Sequence, residues 1–252
     1  MKKNILFLFC IIFVSCVSAQ TTKLQAIKEK IAEINKKLPI HTDGGMTIEK
    51  MKVEKGYVVQ YASSPSMFDR DGKSLSRPYG ESFLEQAKNE GVRSMYKDYL
   101  ACGLGAKQIM YFKDTKKTET LTFEVADLER MLAFPASAYR QLIHELRTDR
   151  DALPTPVVEG ITCIAYEIPH YDFIMVYEAD ENVYPMDAVE KSLNKTKVKI
   201  LSELANGESD MLDMFNLCVN AGFGFGMKYI GKSSRKSVEV IISYDELKKC
   251  LY

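Results

Sequence analysis

An internal duplication limits what this chain can fold into more than any other feature of its sequence. Residues 95–132 align with residues 214–251 without a gap, and glycines and apolar residues fall at matching positions. A second pair of stretches, 36–62 and 151–179, shares a Leu-Pro start, a later glycine and a final strand-like run. Sequence repeats of this kind usually fold into repeated structural units. We therefore expect two similar units in tandem.

Hydrophobic periodicity predicts the order of elements within each repeat. Apolar residues recur at helical spacing from Leu24 to Leu38 and again from Tyr139 to Leu146, and a proline follows each run. The expected strands are Met46 to Val53, Tyr57 to Tyr61, Gln108 to Phe112, Glu119 to Val125, Ile161 to Ile168, Phe173 to Tyr177, Met227 to Ile230 and Ser237 to Ser243. Helical middles are expected over Glu81 to Ala101 and Met186 to Ala221, the second broken near Asn206-Gly207.

These elements predict an α+β fold. We expect a tandem duplication of an α-β-β-α-β-β unit, each copy forming a mostly antiparallel four-stranded sheet packed with helices. The expected boundaries are 1–19 for a signal peptide, 20–134 for the first α+β repeat and 135–252 for the second.

The N-terminus has the order of a secretory signal peptide. Two lysines precede an apolar run from Ile5 to Val14, and small residues follow up to Ala19. A helix needs roughly 20 apolar residues to cross a bilayer, and this run is too short. Cleavage after Ala19 would release a free protein, whereas cleavage before Cys16 would leave a cysteine for a lipid, and both alternatives stay open. Either route predicts export to the periplasm, the outer membrane or the medium.

The charge balance argues against nucleic acid as a partner. The sequence contains 34 basic and 34 acidic residues, and two of the lysines lie in the signal peptide, so the exported chain carries a net charge of about −2. A near-neutral chain has no general attraction for a polyanion. We expect a protein or another cell-envelope ligand as the partner, and no transmembrane segment after signal removal.

The stretch NAGFGFG, residues 220–226, invites interpretation as a cofactor loop. A dinucleotide-binding fingerprint requires a strand before the glycines and a helix after them. Here, and in the matching ACGLGAK at 101–107, a helix comes first and a strand follows. We therefore predict that Gly103 and Gly222 end helices in the left-handed conformation that glycine adopts most easily. No cofactor is predicted.

Four cysteines follow the signal peptide, and none has the close CxxC spacing of a zinc site. Cys218 aligns with Tyr99 and Cys250 with Met131, so both cysteines are missing together from the first copy. A bonded pair would be lost together in this way, and exported proteins form disulfides. We predict a Cys218–Cys250 disulfide, and the state of the other two cysteines stays open.

Loop tips supply the candidate binding residues. His170 and Tyr171 lie at a predicted hairpin tip, where they could contact a ligand, although an ordinary turn is the alternative. The tips between the last two strands of each copy carry cations that could bind an anionic surface or partner: Lys113, Lys116, Lys117, Lys232, Arg235 and Lys236. Lysine at such turns also discourages aggregation of strand edges, which is the structural alternative.

The first repeat contains one loop without a counterpart in the second. Its sequence DRDGKS, residues 69–74, suggests a calcium loop or a phosphate loop, but it lacks the closing Glu of an EF-hand and the upstream glycine of a P-loop. We expect a solvated loop. The sequence also lacks a GxSxG nucleophile turn and an HExxH zinc helix, so no catalytic or metal-ligating residue is predicted.

These observations predict an exported, non-enzymatic binding or interaction protein built from two duplicated α+β modules. The alternative is a hydrolase or an inhibitor-like protein with a site in the cleft between the modules, because pockets often form at domain interfaces. A short signal followed by duplicated α+β units resembles exported bacterial proteins, a likeness too general to assign a role to any residue.

Overall fold

The computed structural model describes residues 21–42, 45–67, 77–207 and 211–252. The predicted signal peptide and the DRDGKS loop at 69–74 lie outside these residues. Within them the fold is α+β, with eight helices and two five-stranded mixed sheets. None of these eight helices combines the length and the apolar character that crossing a bilayer requires.

Each half of the chain contributes four of these helices and five strands. The first half contains α1 (residues 21–35), β1 (Ile40–His41), β2 (Thr47–Glu54), β3 (Tyr57–Ser64), α2 (Tyr79–Ala87), α3 (Glu90–Leu100), β4 (Gly105–Phe112), β5 (Lys117–Phe123) and α4 (Val125–Ala133). The second half contains α5 (Ala136–Asp151), β6 (Thr155–Val158), β7 (Ile161–Glu167), β8 (Asp172–Ala179), α6 (Met186–Ala205), α7 (Leu212–Asn220), β9 (Gly224–Gly231), β10 (Ser237–Ile242) and α8 (Tyr244–Leu251).

Both sheets have the same strand order, β1-β2-β3-β4-β5 in the first and β6-β7-β8-β9-β10 in the second. Neighbouring strands are antiparallel except for the central pairs, β3 with β4 and β8 with β9, which are parallel. The predicted four-stranded sheet is therefore corrected to a five-stranded mixed sheet. The central pair is parallel because the helical connection returns the chain to the end of the sheet at which the first strand of the pair began. Both strands then run in the same direction.

The strand that the sequence analysis missed is one of the two edge strands of each sheet, β1 in the first and β6 in the second. β1 pairs with β2 through two residues, Ile40 and His41, and β6 is also short. Each follows directly after a Leu-Pro pair whose peptide bond is cis. Strands of two and four residues are too short to show the alternation that identifies longer strands.

Contacts divide the chain into two compact units. Unit 1 is the chain up to Arg77 together with Gly91–Leu132, and unit 2 is Pro78–Glu90 together with Ala133–Tyr252. The helical middle predicted for the first repeat is therefore two helices that belong to different units. α3 belongs to unit 1, whereas α2 belongs to unit 2 although its sequence lies within the predicted first repeat.

The core of unit 1 is formed by α1, α3, α4 and the inner strands of the first sheet. Its buried apolar side chains include Ile27, Ile31, Val58, Ala62, Tyr96, Tyr99, Phe112, Phe123, Leu128 and Met131. Arg93 of α3 is also buried, and its guanidinium donates a hydrogen bond to the carbonyl of Met131 near the end of α4. The last carbonyls of a helix lack partners within the helix, so this arginine both satisfies one of them and connects two helices.

α2 is held in unit 2 by an aromatic side chain and by close backbone contact. Phe83 is fully buried, and its ring centroid lies 5.0 Å from that of Tyr171, 6.0 Å from that of Tyr139 and 6.1 Å from that of Phe223. A Cβ atom on Gly80 would overlap the carbonyl oxygen of His170. Only glycine therefore permits the helix to lie this close to the β7–β8 connection.

Ion pairs fix α2 along α5 as well. Arg147 donates to Glu85 over 2.8 Å, and Arg150 pairs with Glu81 and also donates to the carbonyl of Tyr166 over 2.8 Å. Exposed pairs contribute at most about 1 kcal/mol each. The burial of Phe83 is therefore the larger stabilising term, and the ion pairs set the direction of the helix.

The predicted helix ends at Gly103 and Gly222 are confirmed. Both glycines have positive φ, 66° and 75° respectively. After each glycine the next residue donates its N–H across the helix end, Leu104 to the Tyr99 carbonyl over 3.0 Å and Phe223 to the Cys218 carbonyl over 2.8 Å. This bond pattern is the Schellman motif, which ends α3 and α7 in the same way.

α8 begins with a capping box that also receives a lysine from α6. The Ser243 side chain accepts from the Glu246 backbone, and the Glu246 carboxylate accepts from the Ser243 backbone over 2.9 Å. The Lys197 ammonium lies 2.8 Å from the same carboxylate and 2.9 Å from the carbonyl of Ile241. The lysine, followed by the Ser243 backbone, lowers the pKa of Glu246 to about 2.

We expect Glu246→Gln to lower the melting temperature at pH 7 and to have less effect in acid. Because the pKa of Glu246 is depressed by folding, its charge stabilises the fold fully above its ordinary pKa of 4.5, and this contribution disappears as the pH falls towards about 2. Glutamine keeps the capping hydrogen bond and removes only the charge. Thermal unfolding of both proteins between pH 7 and pH 3 measures the difference, with Glu239→Gln on β10 as the control. A gap that stays constant across this range would contradict the prediction.

Candidate functional site

His170 and Tyr171 lie in the connection between β7 and β8, as the sequence predicted, and α2 adds a third ring there. The His170 ring is exposed, with its centroid 4.7 Å from that of Tyr79 and 4.3 Å from that of Tyr171. The two tyrosine hydroxyls are 3.3 Å apart. Tyr171 also contacts Phe83, so one face of this cluster supports the fold, whereas the His170 ring is exposed to solvent.

The cations at the β9–β10 tip are engaged by acidic side chains. Lys236 pairs with Asp187 over 2.8 Å and with Glu190 over 2.9 Å, and these hydrogen bonds raise its pKa. Arg235 lies 3.6 Å from Glu178. The tip backbone is bound in addition, because the N–H groups of Ser233 and Ser234 both donate to Glu181. The candidate cations Lys236 and Arg235 are thus partly neutralised within unit 2, while Lys232 is exposed.

The corresponding tip in unit 1 differs in this respect. Lys113, Lys116 and Lys117 are all exposed, and the tip contains Asp114, whose carboxylate accepts from the backbone of Met67 over 3.0 Å. Lys117 is the first residue of β5, the edge strand opposite β1 in the first sheet. Lysine at this position repels a second strand edge, which agrees with the structural alternative for this residue.

The structure gives the four cysteines of the described chain as free, and the Cys218–Cys250 disulfide stays a prediction. Cys218 is fully buried in α7, and Cys250 is half-buried in α8, a helix that packs against α7. Burial raises the pKa of the Cys218 thiol, so it stays protonated and unreactive. Cys218 precedes Gly222 at the end of α7 as Tyr99 precedes Gly103 at the end of α3, and both side chains are buried.

An exposed apolar surface, which the sequence analysis missed, surrounds β6 in unit 2. Val157 and Val158 are each 54% exposed, and Val183 and Tyr184 are 48% and 36% exposed. The turn at Gly160 joins the two segments, since its carbonyl accepts from the Asp180 backbone over 2.8 Å and a Cβ there would lie 3.1 Å from the Val183 Cβ. We call Val157, Val158, Val183 and Tyr184 the β6 patch. Adjacent valines on a short strand carry no alternation signal that would have revealed it.

Unit 2 also contains an open groove of about 420 Å³ between the start of α5, the end of α7 and α8. Its aromatic walls are Phe134 and Tyr244, whose rings meet edge to face with centroids 5.6 Å apart, and Tyr252. The polar lining comprises Ser137, Gln141, Asn220 and Lys248. We call this site the α8 groove. Its volume lies within the range of small-molecule sites.

The described residues contain no group of three or more His, Cys, Asp or Glu side chains arranged to hold a metal ion. Comparison with known proteins identifies no relative, because no family, curated protein or solved structure matches the chain significantly. Function must therefore be argued from the surfaces themselves.

Proposed function

We propose that this chain is an exported, non-enzymatic interaction protein built from two duplicated α+β modules, with repeats at 20–134 and 135–252. Export rests on the signal-like N-terminus, and the interaction role rests on the β6 patch. The partner is a protein, and its extended segment adds to β6 at the edge of the second sheet.

Equivalent positions in the two halves support the duplication. At the sequence offset that aligns 95 with 214, Leu128 pairs with Leu247, and both are fully buried. Tyr99 and Cys218 are also an aligned pair, and both are buried. The two sheets share strand order and the position of the parallel pair. Independent sequences would have no reason to agree in core positions, helix ends and topology together.

The β6 patch is the observation that carries the interaction role. β6 is the last strand of its sheet, and all four of its residues are exposed. Edge strands of soluble proteins are normally protected by charge or by a covering element. β6 is short and contains Pro156, which limits pairing along its edge. It nevertheless presents two adjacent valines beside Val183 and Tyr184, and exposed apolar clusters of this kind mark interaction sites.

The chemistry of the patch defines the partner segment. Neither segment 155–160 nor segment 180–185 contains Lys or Arg, whereas Glu159, Asp180 and Glu181 flank the apolar residues. An added strand bonds through its backbone and gains specificity from alternate side chains. The complementary segment is therefore extended, apolar along one face and basic at its ends. Pro156 leaves β6 one donor short, so the side chains carry a large share of the contact.

Photo-crosslinking tests this function. Benzoylphenylalanine at Val157, in the protein expressed with its own leader, should give a covalent adduct in the exported fraction of the source cells. Val198 on α6 is 68% exposed and serves as the control position. We expect an adduct at Val157, none at Val198, and loss of the Val157 adduct when Val158→Lys is added.

Three results would contradict the proposal. Equal adducts at both positions would show nonspecific capture, and the absence of an adduct at Val157 would exclude a partner there. An adduct of two copies of this chain would replace a separate partner with self-association. Val158→Lys should not change the melting temperature, because substitutions at exposed positions alter stability by only about 0.5 kcal/mol.

A further inference from the structure

The α8 groove carries a second inference, independent of the β6 patch. We propose that the groove binds a small planar aromatic carboxylate. The aromatic walls, the charge of the lining and the start of α5 each restrict the class of ligand. Together they select an anion with a flat apolar body.

The walls of the groove select a flat ring. Phe134 and Tyr244 stand at 84° to each other, so a planar ligand can lie against one ring while its edge meets the other. Aromatic pairs prefer offset-stacked or edge-to-face contacts and contribute about 0.5–1.5 kcal/mol beyond the area they bury. Tyr252 is 79% exposed at the mouth of the groove, where a ligand would cover it.

The charge of the lining selects an anion. Lys248 is the one charged side chain among the residues that line the groove, and its ammonium lies 5.6 Å from the Tyr244 ring centroid. The remaining polar side chains of the lining are neutral: the alcohol of Ser137, the amides of Gln141 and Asn220, and the phenols of Tyr244 and Tyr252. A cationic ligand would meet Lys248 unfavourably. A carboxylate would accept from its ammonium, and charge-assisted bonds of this type are about twice as strong as neutral ones.

The orientation of the two helix ends supports the same sign. α5 starts in the groove with Pro135 at its N-cap, no side chain caps this end, and no acidic residue lies in the first turn. A helix N-terminus carries a partial positive charge of roughly half an elementary charge. α7 ends nearby, but the carbonyls of Cys218 and Val219 accept from the N–H groups of Phe223 and Gly222. The negative end of α7 is therefore already engaged, whereas Pro135 and Ser137 at the positive end of α5 line the groove.

Binding of 2-naphthoate to the full chain tests the proposal. The protein contains no tryptophan, so naphthoate fluorescence can be followed without interference from indole. We expect saturable binding of one molecule per chain with a Kd at or below about 1 mM. The neutral analogue 2-naphthamide and the non-aromatic cyclohexanecarboxylate should each bind at least tenfold more weakly.

Variants separate the groove from nonspecific adsorption. Lys248→Met should weaken 2-naphthoate at least tenfold and leave 2-naphthamide unchanged. Tyr244→Leu should weaken both. Lys249→Met removes a neighbouring exposed lysine that does not line the groove, and it should leave both affinities unchanged.

The proposal fails under any of three outcomes. Absence of saturable 2-naphthoate binding would exclude the ligand class. Equal losses with Lys248→Met and Lys249→Met would mean general attraction to a basic surface. Tighter binding of 2-naphthamide than of 2-naphthoate would show that the site prefers neutral rings. None of these outcomes depends on the β6 patch, which lies elsewhere in unit 2.

Discussion

Replacing Phe83 by alanine is expected to destabilise unit 2 by about 3–5 kcal/mol, although residue 83 lies in the predicted first repeat. Its ring is fully buried and contacts the rings of Tyr139, Tyr171 and Phe223. Removing the ring leaves a cavity and detaches α2 from α5. Domains are stable by only about 5–15 kcal/mol in total, so the loss is a large fraction of the stability of the unit.

Hydrogen exchange measured by mass spectrometry locates this effect. Phe83→Ala should speed exchange of the β8 and β9 amides and leave those of β3 and β4 unchanged. Phe112→Ala is the matched control, because Phe112 is almost fully buried in β4 of unit 1. It should give the reverse pattern. Faster exchange of the β3 and β4 amides in Phe83→Ala, with β8 and β9 unaffected, would contradict the assignment of α2 to unit 2.

Gly222→Ala is expected to cost about 2–5 kcal/mol, from two physical causes. Its φ of 75° lies in the left-handed region, where a side chain costs about 1–2 kcal/mol. A Cβ would also overlap the Phe134 ring, and overpacking of this kind costs about 1–3 kcal/mol more. Denaturant unfolding measures the loss. Because Phe134 lines the α8 groove, 2-naphthoate binding should fall as well.

Gly56→Ala is the control that separates these two causes. Gly56 has a similar φ of 84°, and a Cβ there would have no heavy atom within 4 Å. It should cost only the backbone term of about 1–2 kcal/mol. If Gly222→Ala were no more harmful than Gly56→Ala, the close approach of Phe134 would be refuted.

Features set by local chemistry could be predicted from the sequence. The helix ends at Gly103 and Gly222 follow from glycine's access to positive φ and from the order of helix and strand around them. The break in the second helical middle was also correct, because α6 ends at Ala205 and Gly207 has a φ of 72°. The longer strands begin or end within a few residues of their predicted bounds, because alternation extends over most of each strand.

Features set by pairing between distant segments were missed or incomplete. The fifth strands are too short to show a period. The central pair is parallel because a long helical connection joins its strands, and no local pattern shows where such a connection ends. The location of α2 depends on Phe83 meeting rings at positions 139, 171 and 223, and no local pattern indicates such distant partners. The close approach of the backbone at position 80 tolerates only glycine, so Gly80 is a sequence signal of this contact.

The candidate sites show the same contrast between local features and contacts of distant segments. The position of His170 and Tyr171 between two strands could be predicted because a hairpin tip is a local feature, and their role in binding stays a prediction. The engagement of Lys236 by Asp187 and Glu190 joins positions about 50 residues apart, which the charge of the tip alone does not reveal. The α8 groove draws its lining from three stretches of chain and the final tyrosine. Its one local trace is Tyr244 followed by Lys248, one helical turn later on α8.

The assignment of residues 78–90 to unit 2 has a consequence for synthesis of the chain. A ribosome adds about 5–20 residues per second, so roughly 8–30 s separate the appearance of α2 from that of residue 252. The surface that receives Phe83 stays incomplete until Phe223 has been synthesised. Unit 1 can fold once segment 91–132 has been synthesised. At that stage the aromatic side chains of α2 are still exposed to solvent. We therefore expect a chaperone that binds exposed apolar segments to bind α2 until the rest of unit 2 has been synthesised.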